Sequence, residues 1–173
     1  METALVSIVS LALIIIGSVT IAMNSLHSSG AIADSLKYME QLASVIRRTE
    51  IVALPPDDYS GGSVNMTVRN EGQTNLDSYN KWDVIAQYQD NSTNYIEYTE
   101  NGPAGSNQWT VSGIYLSDNS TEVFDFNILN PGEKMTIVIN LNPEISEGET
   151  GRITISAPNG VTSQCLVTRA LIP

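Results

Sequence analysis

The first strong pattern in the chain is an uninterrupted apolar run near its N-terminus. Residues 4–23 contain no charged side chain, and twenty positions are enough for a helix to cross a bilayer. A secretory signal peptide has a basic start, a shorter apolar core and an Ala-x-Ala cleavage site. Here the run follows "MET", and no such site comes after it. The pattern therefore predicts a retained helix and not a cleaved secretory signal.

The helical period continues beyond the apolar run. Apolar residues recur at steps of four, three, four and three along one helical face, at Ile32, Leu36, Met39, Ala43 and Ile46. We predict one helix from about Glu2 to Glu50, roughly 70 Å long. Its weakest point is Ser28–Gly30, where a kink is the alternative to an unbroken helix. An amphipathic half of this kind requires helical neighbours.

Small residues interrupt the large aliphatic ones inside the apolar run, at Ser7, Ser10, Gly17, Ser18 and Thr20. In apolar surroundings, small side chains let two helices approach closely. Membrane-spanning helices also contain such residues without close partners, so both interpretations stay open. We include Ser7, Ser10 and Gly17 among the candidate assembly positions, together with the apolar stripe of the second half.

The period changes from 3.6 to 2 in the C-terminal part. The stretch "LPPDDYSGG" ends the helix, because proline cannot continue it and Asp and Gly favour turns. Eight candidate strands follow, at 63–70, 81–90, 94–98, 108–116, 122–129, 134–141, 151–158 and 161–172. Seven or eight short strands predict an immunoglobulin-like antiparallel β-sandwich. The predicted fold is α+β, with a long hydrophobic N-terminal helix (1–50), a linker (51–62) and a β-sandwich outer domain (63–173).

The charge lies almost entirely on the predicted β domain. Residues 51–173 contain five Lys and Arg against fifteen Asp and Glu, a net charge of −10, whereas residues 1–50 have a net charge of −1. Binding to nucleic acid requires clustered basic side chains. The composition therefore excludes nucleic acid as an expected partner and indicates a soluble, exposed acidic surface.

Residues for catalysis or ligand binding are few. His27 lies in or next to the apolar helix, with no patterned nucleophile or acid, so a packing role is expected. The sequence has no phosphate-binding glycine motif or metal-binding histidine pair, and its acidic turns match no calcium loop. Trp82 and Trp109 are predicted core residues, and Cys165 is predicted to be a buried small side chain in a strand. We expect no enzymatic activity, no cofactor and no metal.

Three Asn-x-Ser/Thr sequences begin at Asn65, Asn91 and Asn119, and none has proline at its middle position. Each is a candidate N-glycan acceptor if the domain is extracellular. A chain this rich in Asn, Ser and Thr also produces such triplets by chance, so the sequence leaves their occupancy open.

The order of these segments resembles the archaeal branch of the type IV pilin superfamily, which includes archaellins and archaeal pilins. The resemblance covers the whole chain: an apolar helix, its amphipathic continuation and a β domain. The segments "VRNEGQTNLDSYNKWDV" and "ILNPGEKMTIVINL" are similar to β domains of archaellum-type proteins. The resemblance implies a helix that lies in the membrane before assembly and packs afterwards among copies of itself in a filament core. It also implies a prepilin peptidase and an assembly machinery as partners.

The N-terminus departs from the precursor pattern of that family. A short basic leader is expected before the apolar helix, whereas Met1 opens this sequence; either the numbering is that of the mature chain or no such processing occurs. In bacterial pilins an early carboxylate neutralises a neighbour's amine, but Glu2 is displaced from that position. We expect Glu2 to favour its own helix N-terminus instead.

The sequence therefore predicts a structural subunit of an extracellular helical filament, for motility or adhesion, with helices in the core and β domains outside. The alternative is a membrane-anchored binding module at the cell surface, such as an archaellum accessory protein with an envelope-binding β domain. The amphipathic second half favours the filament, because a simple anchor needs no apolar stripe outside the bilayer.

Overall fold

The computed structural model describes residues 2–56, 59–60, 62–89, 92–100, 102–125 and 127–171. They form two compact units, one up to Ala43 and one from Ser44 onward. The second unit thus contains the last turn of the N-terminal helix as well as the β domain.

Helix α1 runs without interruption from Glu2 to Arg48. No proline occurs in this stretch, and the hydroxyls of Ser7, Thr20 and Ser29 donate to carbonyls of the preceding turn. Residues 24–30 are therefore helical, as the unbroken-helix prediction requires. The helix ends two residues before the predicted Glu50, with Arg47 and Arg48 in its last turn, where basic side chains complement the helix dipole.

The described residues of the β domain form nine strands. They are β1 (Ile51–Leu54), β2 (Tyr59–Ser60), β3 (Ser63–Asn70), β4 (Asp83–Tyr88), β5 (Ser92–Tyr98), β6 (Gln108–Tyr115), β7 (Lys134–Asn140), β8 (Thr150–Ser156) and β9 (Thr162–Thr168). A single 3₁₀ turn in this part of the chain, Tyr79–Lys81, precedes β4.

The strands form one mixed, nearly closed sheet in the order β1-β3-β7-β6-β5-β4-β8-β9, with β2 paired to β3. All described pairings are antiparallel except that of β5 with β6, which joins Glu97 to Gln108 and Tyr98 to Trp109. The two edge strands of this order, β1 and β9, approach each other: the backbone N–H of Ala53 in β1 donates to Ser163 Oγ in β9 at 2.9 Å. The α+β prediction, a long helix followed by a β domain, is confirmed. The sandwich prediction included neither the parallel pairing of β5 with β6 nor the near-closure of the strands into one sheet.

Alternation along the strands builds one apolar core. In β3 and β7 every second side chain is buried, and these residues meet the two tryptophans inside the domain. Trp82 and Trp109 are almost fully buried, as predicted, and the indole N–H of Trp82 donates to the carbonyl of Asp77 at 2.9 Å. Cys165 is also buried, with its Sγ 3.1 Å from Met66 Sδ, and burial raises the pKa of its thiol to about 11.

Two features of the strand prediction are wrong. The stretch 51–62, expected to be a linker, contains β1 and β2, and β1 pairs with β3 over four residues. In the stretch expected to be a strand, the described residues 122–125 and 127–129 form a loop with an isolated bridge at Leu129. The Glu122 carboxylate accepts hydrogen bonds from three consecutive N–H groups there, which removes them from any strand pairing.

Candidate assembly interface

The large apolar side chains of α1 from Val6 onward are exposed on all sides of the helix. Every large apolar residue from Val6 to Ile46 is exposed, with fractions between 43 % and 73 %. Among the described residues, this is the one helix long and apolar enough to cross a membrane, judged by length and composition alone. Such a surface is stable only when lipid or other apolar surfaces cover it.

Three hydroxyl groups inside the apolar half need no outside partner for their protons. Ser7, Ser18 and Thr20 donate to carbonyls three or four residues earlier, at 2.8–2.9 Å. Each hydroxyl donor is satisfied by its own helix, which lowers the cost of placing it in an apolar environment. Apart from the helix's own backbone and its chain neighbours, no described atom would lie within 4 Å of a Cβ at Gly17, so this position allows a close approach by another helix.

All five predicted stripe residues are exposed on the second half of α1. The structure adds a second row that the stripe prediction missed: Tyr38, Leu42 and Val45 are also exposed. They follow the same steps of four and three, one position before Met39, Ala43 and Ile46. Two adjacent rows widen the apolar face by about 100°. This half of the helix therefore presents a broad surface rather than a narrow seam.

The C-terminal end of α1 is joined to the β domain by the loop of residues 70–74. The carbonyl of Arg48 accepts from the N–H of Gln73 at 2.7 Å, and the carbonyl of Glu50 accepts from Glu71 and Gly72 at 2.9 and 3.1 Å. Carbonyls at the end of a helix have no partner within it, so these bonds satisfy groups that would otherwise need water.

Gly72 makes this close approach possible. A Cβ at this position would lie 2.5 Å from the backbone nitrogen of Glu50 and 2.6 Å from the carbonyl oxygen of Arg48. Both neighbours are backbone atoms, which cannot rotate away as a side chain can. The loop is shaped by Asn70, which is fully buried and donates from Nδ2 to the carbonyls of Thr74 and Leu129 at 2.8 and 2.9 Å.

The hydroxyl of Thr49 completes the joint. It donates to the carbonyl of Val45 at 2.8 Å and accepts from Asn159 Nδ2 at 2.7 Å. It also lies 2.7 Å from Thr74 Oγ1, and because its one proton is used, Thr74 is the donor in that contact. Thr49 is only 7 % exposed, so the hydroxyl is saturated in a site that water scarcely reaches. The last turn of α1 is therefore an integral part of the second unit.

The other predicted positions are dispersed. His27 is exposed on the helix, while the side chain of Glu2 lies outside the described part. Asn65 is exposed on β3 and Asn119 on the turn after β6, where its Oδ1 accepts from Lys134 Nζ; Asn91 lies outside the described residues. Within the described residues, no three His, Cys, Asp or Glu side chains are grouped to hold a metal ion.

The sequence profile of the archaeal-type flagellin family matches residues 3–165. The chain belongs to this family. Archaeal-type flagellins are structural and non-enzymatic, and the hydrophobic N-terminal helix places this family member at the cell surface or envelope as an archaellum component. A comparison with curated proteins finds no match.

Solved structures share the fold. The archaellum periplasmic stator protein FlaG from Sulfolobus acidocaldarius is 21 % identical, with a TM-score of 0.52 over 68 % of this chain and 98 % of that chain. Archaeal flagellin FlaB1 from Methanocaldococcus jannaschii is 11 % identical, with a TM-score of 0.52 over 72 % and 93 %. The archaeal flagellum of Methanospirillum hungatei strain JF1 is 14 % identical, with a TM-score of 0.51 over 95 % and 91 %. At these identities the likeness shows the fold alone.

Proposed function

We propose that this chain is a structural subunit of an archaellum-type filament at the cell surface. In this proposal the helices pack together in the filament core and the acidic β domains face outward. The observation that carries it is the uncovered apolar surface of α1, which extends from Val6 to Ile46.

The size of that surface favours assembly. Nineteen large apolar residues are exposed between Val6 and Ile46, twelve of them from Val6 to Leu26 and seven from Ile32 to Ile46. The first group exchanges lipid for other helices on assembly and gains close packing but little hydrophobic free energy, because lipid tails are as apolar as the side chains. Covering the seven residues of the second half contributes roughly 1 kcal/mol each, or about 7 kcal/mol for one subunit. Association costs about 4–15 kcal/mol in lost translational and rotational freedom, so burial of the second half offsets a large part of this cost.

Lipid alone does not account for the length of the surface. A helix of 47 residues is roughly 70 Å long, more than twice the thickness of a hydrocarbon core of about 30 Å. Before assembly the first half lies in the membrane. The second half, with its two apolar rows, then requires protein neighbours, which other copies of the same helix provide.

A second candidate is a membrane-anchored accessory protein of the archaellum. The observation in its favour is that the similarity to the stator protein FlaG covers 98 % of that chain. For such a protein the helix would be an anchor, and the β domain would bind a component of the envelope.

Assembly separates the two candidates. A filament subunit is recovered as sedimentable polymer after shearing of cells, whereas an anchored protein is extracted by detergent as a monomer.

We propose that Leu36→Asp prevents polymerisation and leaves the β domain folded, because the charge falls in the apolar face. Gln41→Asp is the matched control, since Gln41 lies opposite the stripe and is also exposed. Polymer formation by the Leu36 variant at the wild-type level would contradict the role of this face.

We also propose Asn65, Asn91 and Asn119 as acceptors of N-linked glycans. Mass spectrometry of the sheared material identifies any glycans on them. It also identifies the true N-terminus, and therefore whether a leader is removed and whether Glu2 lies near the mature end.

A further inference from the structure

The sheet of the β domain has a gap beside β6, because β6 extends beyond the point where its parallel neighbour β5 ends. At one end of the gap the carbonyl of Trp109 accepts from the N–H of Thr99 at 2.9 Å. At the other end the carbonyl of Ile114 accepts from the N–H of Glu122, also at 2.9 Å. By the alternation of a strand, the peptide groups of Val111 face the same side as the carbonyl of Trp109, and therefore face the gap.

Two recesses, with volumes of about 190 and 290 Å³, lie at this gap. They share four lining residues, Tyr79, Tyr98, Glu100 and Asn127. Most of the other residues around them carry hydroxyl, amide or carboxylate groups. Sites for drug-sized ligands are lined mostly by hydrophobic side chains. A lining as polar as this one therefore suits a polar ligand.

The hydroxyl of Tyr79, in the wall of both recesses, is a donor without an acceptor. Tyr79 is only 6 % exposed, and its hydroxyl has no hydrogen-bond partner among the described atoms. Buried hydroxyls normally have one. Burial, and after it the charges of Asp77 and Glu133, raises the pKa of Tyr79, so the hydroxyl keeps its proton and can donate. An oxygen atom of a ligand in the recesses would supply the missing acceptor.

The charge of the lining restricts the class of ligand. Glu100 and Glu122 are acidic, and none of the described residues that line the recesses is Lys, Arg or His. An anionic ligand would bring like charges together. A neutral ligand with many hydroxyl groups has no such cost, because carboxylates accept from hydroxyls and amides such as that of Asn127 both donate and accept.

Tyr98 adds an aromatic surface to this polar lining. Its side chain is half-buried, and its ring centroid lies 4.8 Å from that of Trp109. This contact holds the ring in place at the wall of both recesses. An aromatic ring offers an apolar face, on which the C–H groups of a sugar ring can lie.

An extended peptide fits the gap less well. A peptide that adds a strand to a sheet is held by a series of main-chain hydrogen bonds. Here the bonds made by Thr99 and Glu122 close the β6 edge at both ends and leave only residues 110–113 between them. That length is too short for a series of such bonds.

We propose that these recesses bind a neutral saccharide. The hydroxyl of Tyr79 donates to an oxygen of the sugar, Glu100 and Asn127 bond to its hydroxyl groups, and the sugar ring lies against Tyr98. All of these residues belong to the β domain. The inference therefore goes beyond the proposed filament and does not depend on whether α1 assembles.

A titration followed by NMR tests the site. The isotopically labelled full chain, in a detergent without a sugar headgroup, is titrated with methyl α-mannoside, methyl β-glucoside or N-acetylglucosamine. We expect saturable shifts at the amides of Tyr98, Val111 and Ser112 with at least one of these sugars. Absence of saturation up to the solubility limit of every sugar, or saturable shifts confined to other amides, would overturn the inference.

Two further probes test the class of ligand. The uronate that corresponds to the bound sugar keeps the ring but adds a negative charge, so it should bind about ten-fold more weakly or less. A neutral Ser-Gly repeat peptide should not shift the same amides. Equal binding of the uronate, or binding of the peptide in place of the sugars, contradicts a neutral saccharide.

The bond from Tyr79 is tested by removal of its hydroxyl. Tyr79→Phe should raise the Kd for the sugar about five-fold. The denaturant midpoint should stay the same or rise, because no hydrogen bond within the chain is lost. Tyr88→Phe is the matched control: its hydroxyl donates to the carbonyl of Pro143 at 2.7 Å, so the midpoint should fall and the Kd should not change. An unchanged Kd for the Tyr79 variant would refute the assigned bond.

The sugar has two potential sources, the cell envelope and a glycan on a second copy of the chain. In one arm, the full chain is bound to native envelopes before and after periodate oxidation of their sugars. In the other arm, natively produced chain replaces the envelopes. Loss of binding in the first arm identifies the envelope and loss in the second identifies another copy, whereas loss in neither contradicts the inference.

Discussion

Replacement of Gly72 by alanine perturbs the joint between α1 and the β domain where the backbone of the 70–74 loop lies against the backbone of residues 48–50. The new Cβ would lie 2.5 and 2.6 Å from backbone atoms of Glu50 and Arg48, distances that force the 70–74 loop to move away. Three hydrogen bonds cross this contact, from the N–H groups of Glu71, Gly72 and Gln73. Each contributes about 0.5–1.5 kcal/mol net, so we expect a loss of about 2–4 kcal/mol.

The loss is measured by chemical and thermal unfolding of the full chain in detergent. For a unit of this size it corresponds to a decrease in melting temperature of about 10 °C. Amide hydrogen exchange should accelerate most at the N–H of Gln73, where the hydrogen bond itself is lost. Amides of β4 and β8 exchange through global unfolding and should accelerate only by the equivalent of the global loss of about 2–4 kcal/mol.

Gly105→Ala is the matched control. A Cβ at position 105 would approach only the side chain of Gln108, with Oε1 at 2.7 Å, and this is the far end of a flexible side chain that can rotate away. Neither glycine has a left-handed backbone conformation, so alanine adds no backbone strain at either position. If the Gly72 variant loses no more stability than the Gly105 variant, the close backbone approach is not what joins the helix to the sheet.

Three further predictions concern single groups. Thr49→Val keeps the shape of the side chain but leaves Asn159 Nδ2 and the Val45 carbonyl without this partner. The denaturant midpoint should therefore fall by the equivalent of about 1–3 kcal/mol. An unchanged midpoint would show that water replaces the hydroxyl. Because burial raises the pKa of Cys165 to about 11, its stabilising contribution is present below the ordinary cysteine value of about 8.5 and is lost as the pH rises toward 11. Maleimide labelling at pH 8 should therefore follow unfolding, and rapid labelling of the folded chain would contradict it. Hydrogen bonds from the N–H of Phe124, and next from that of Asp125, hold the pKa of Glu122 below its usual range. The order of the loop at residues 122–125 should therefore persist at neutral pH and be lost only as the pH falls below the ordinary glutamate value. An amide NMR titration of Phe124 with an ordinary glutamate midpoint would refute this.

Several features of this protein follow from local pattern. A run of twenty uncharged apolar residues followed by a stripe at steps of three and four is sufficient to predict a long helix, because each position is set by its neighbours within one turn. Period-2 alternation likewise predicts most of the strands, including β3 and β7, because alternate side chains must lie on opposite faces. The candidate interface rests on the same local pattern, because the stripe that includes Leu36 and Met39 is apolar and these side chains are exposed on the helix.

Other features depended on contacts between residues distant in sequence. Residues 51–54 become a strand only because β3 offers them a partner, and no local signal in a stretch before two prolines reveals it. Residues 122–129 carry the apolar pattern of a strand, but the Glu122 carboxylate captures the N–H groups that pairing would need. Thr49 has an ordinary helix-end sequence, and its saturation by Thr74 and Asn159 arises from loops 25 and 110 residues away. Hydrogen-bond partners of this kind are brought together by the folded chain as a whole, so the joint between helix and sheet was visible only in the tertiary structure.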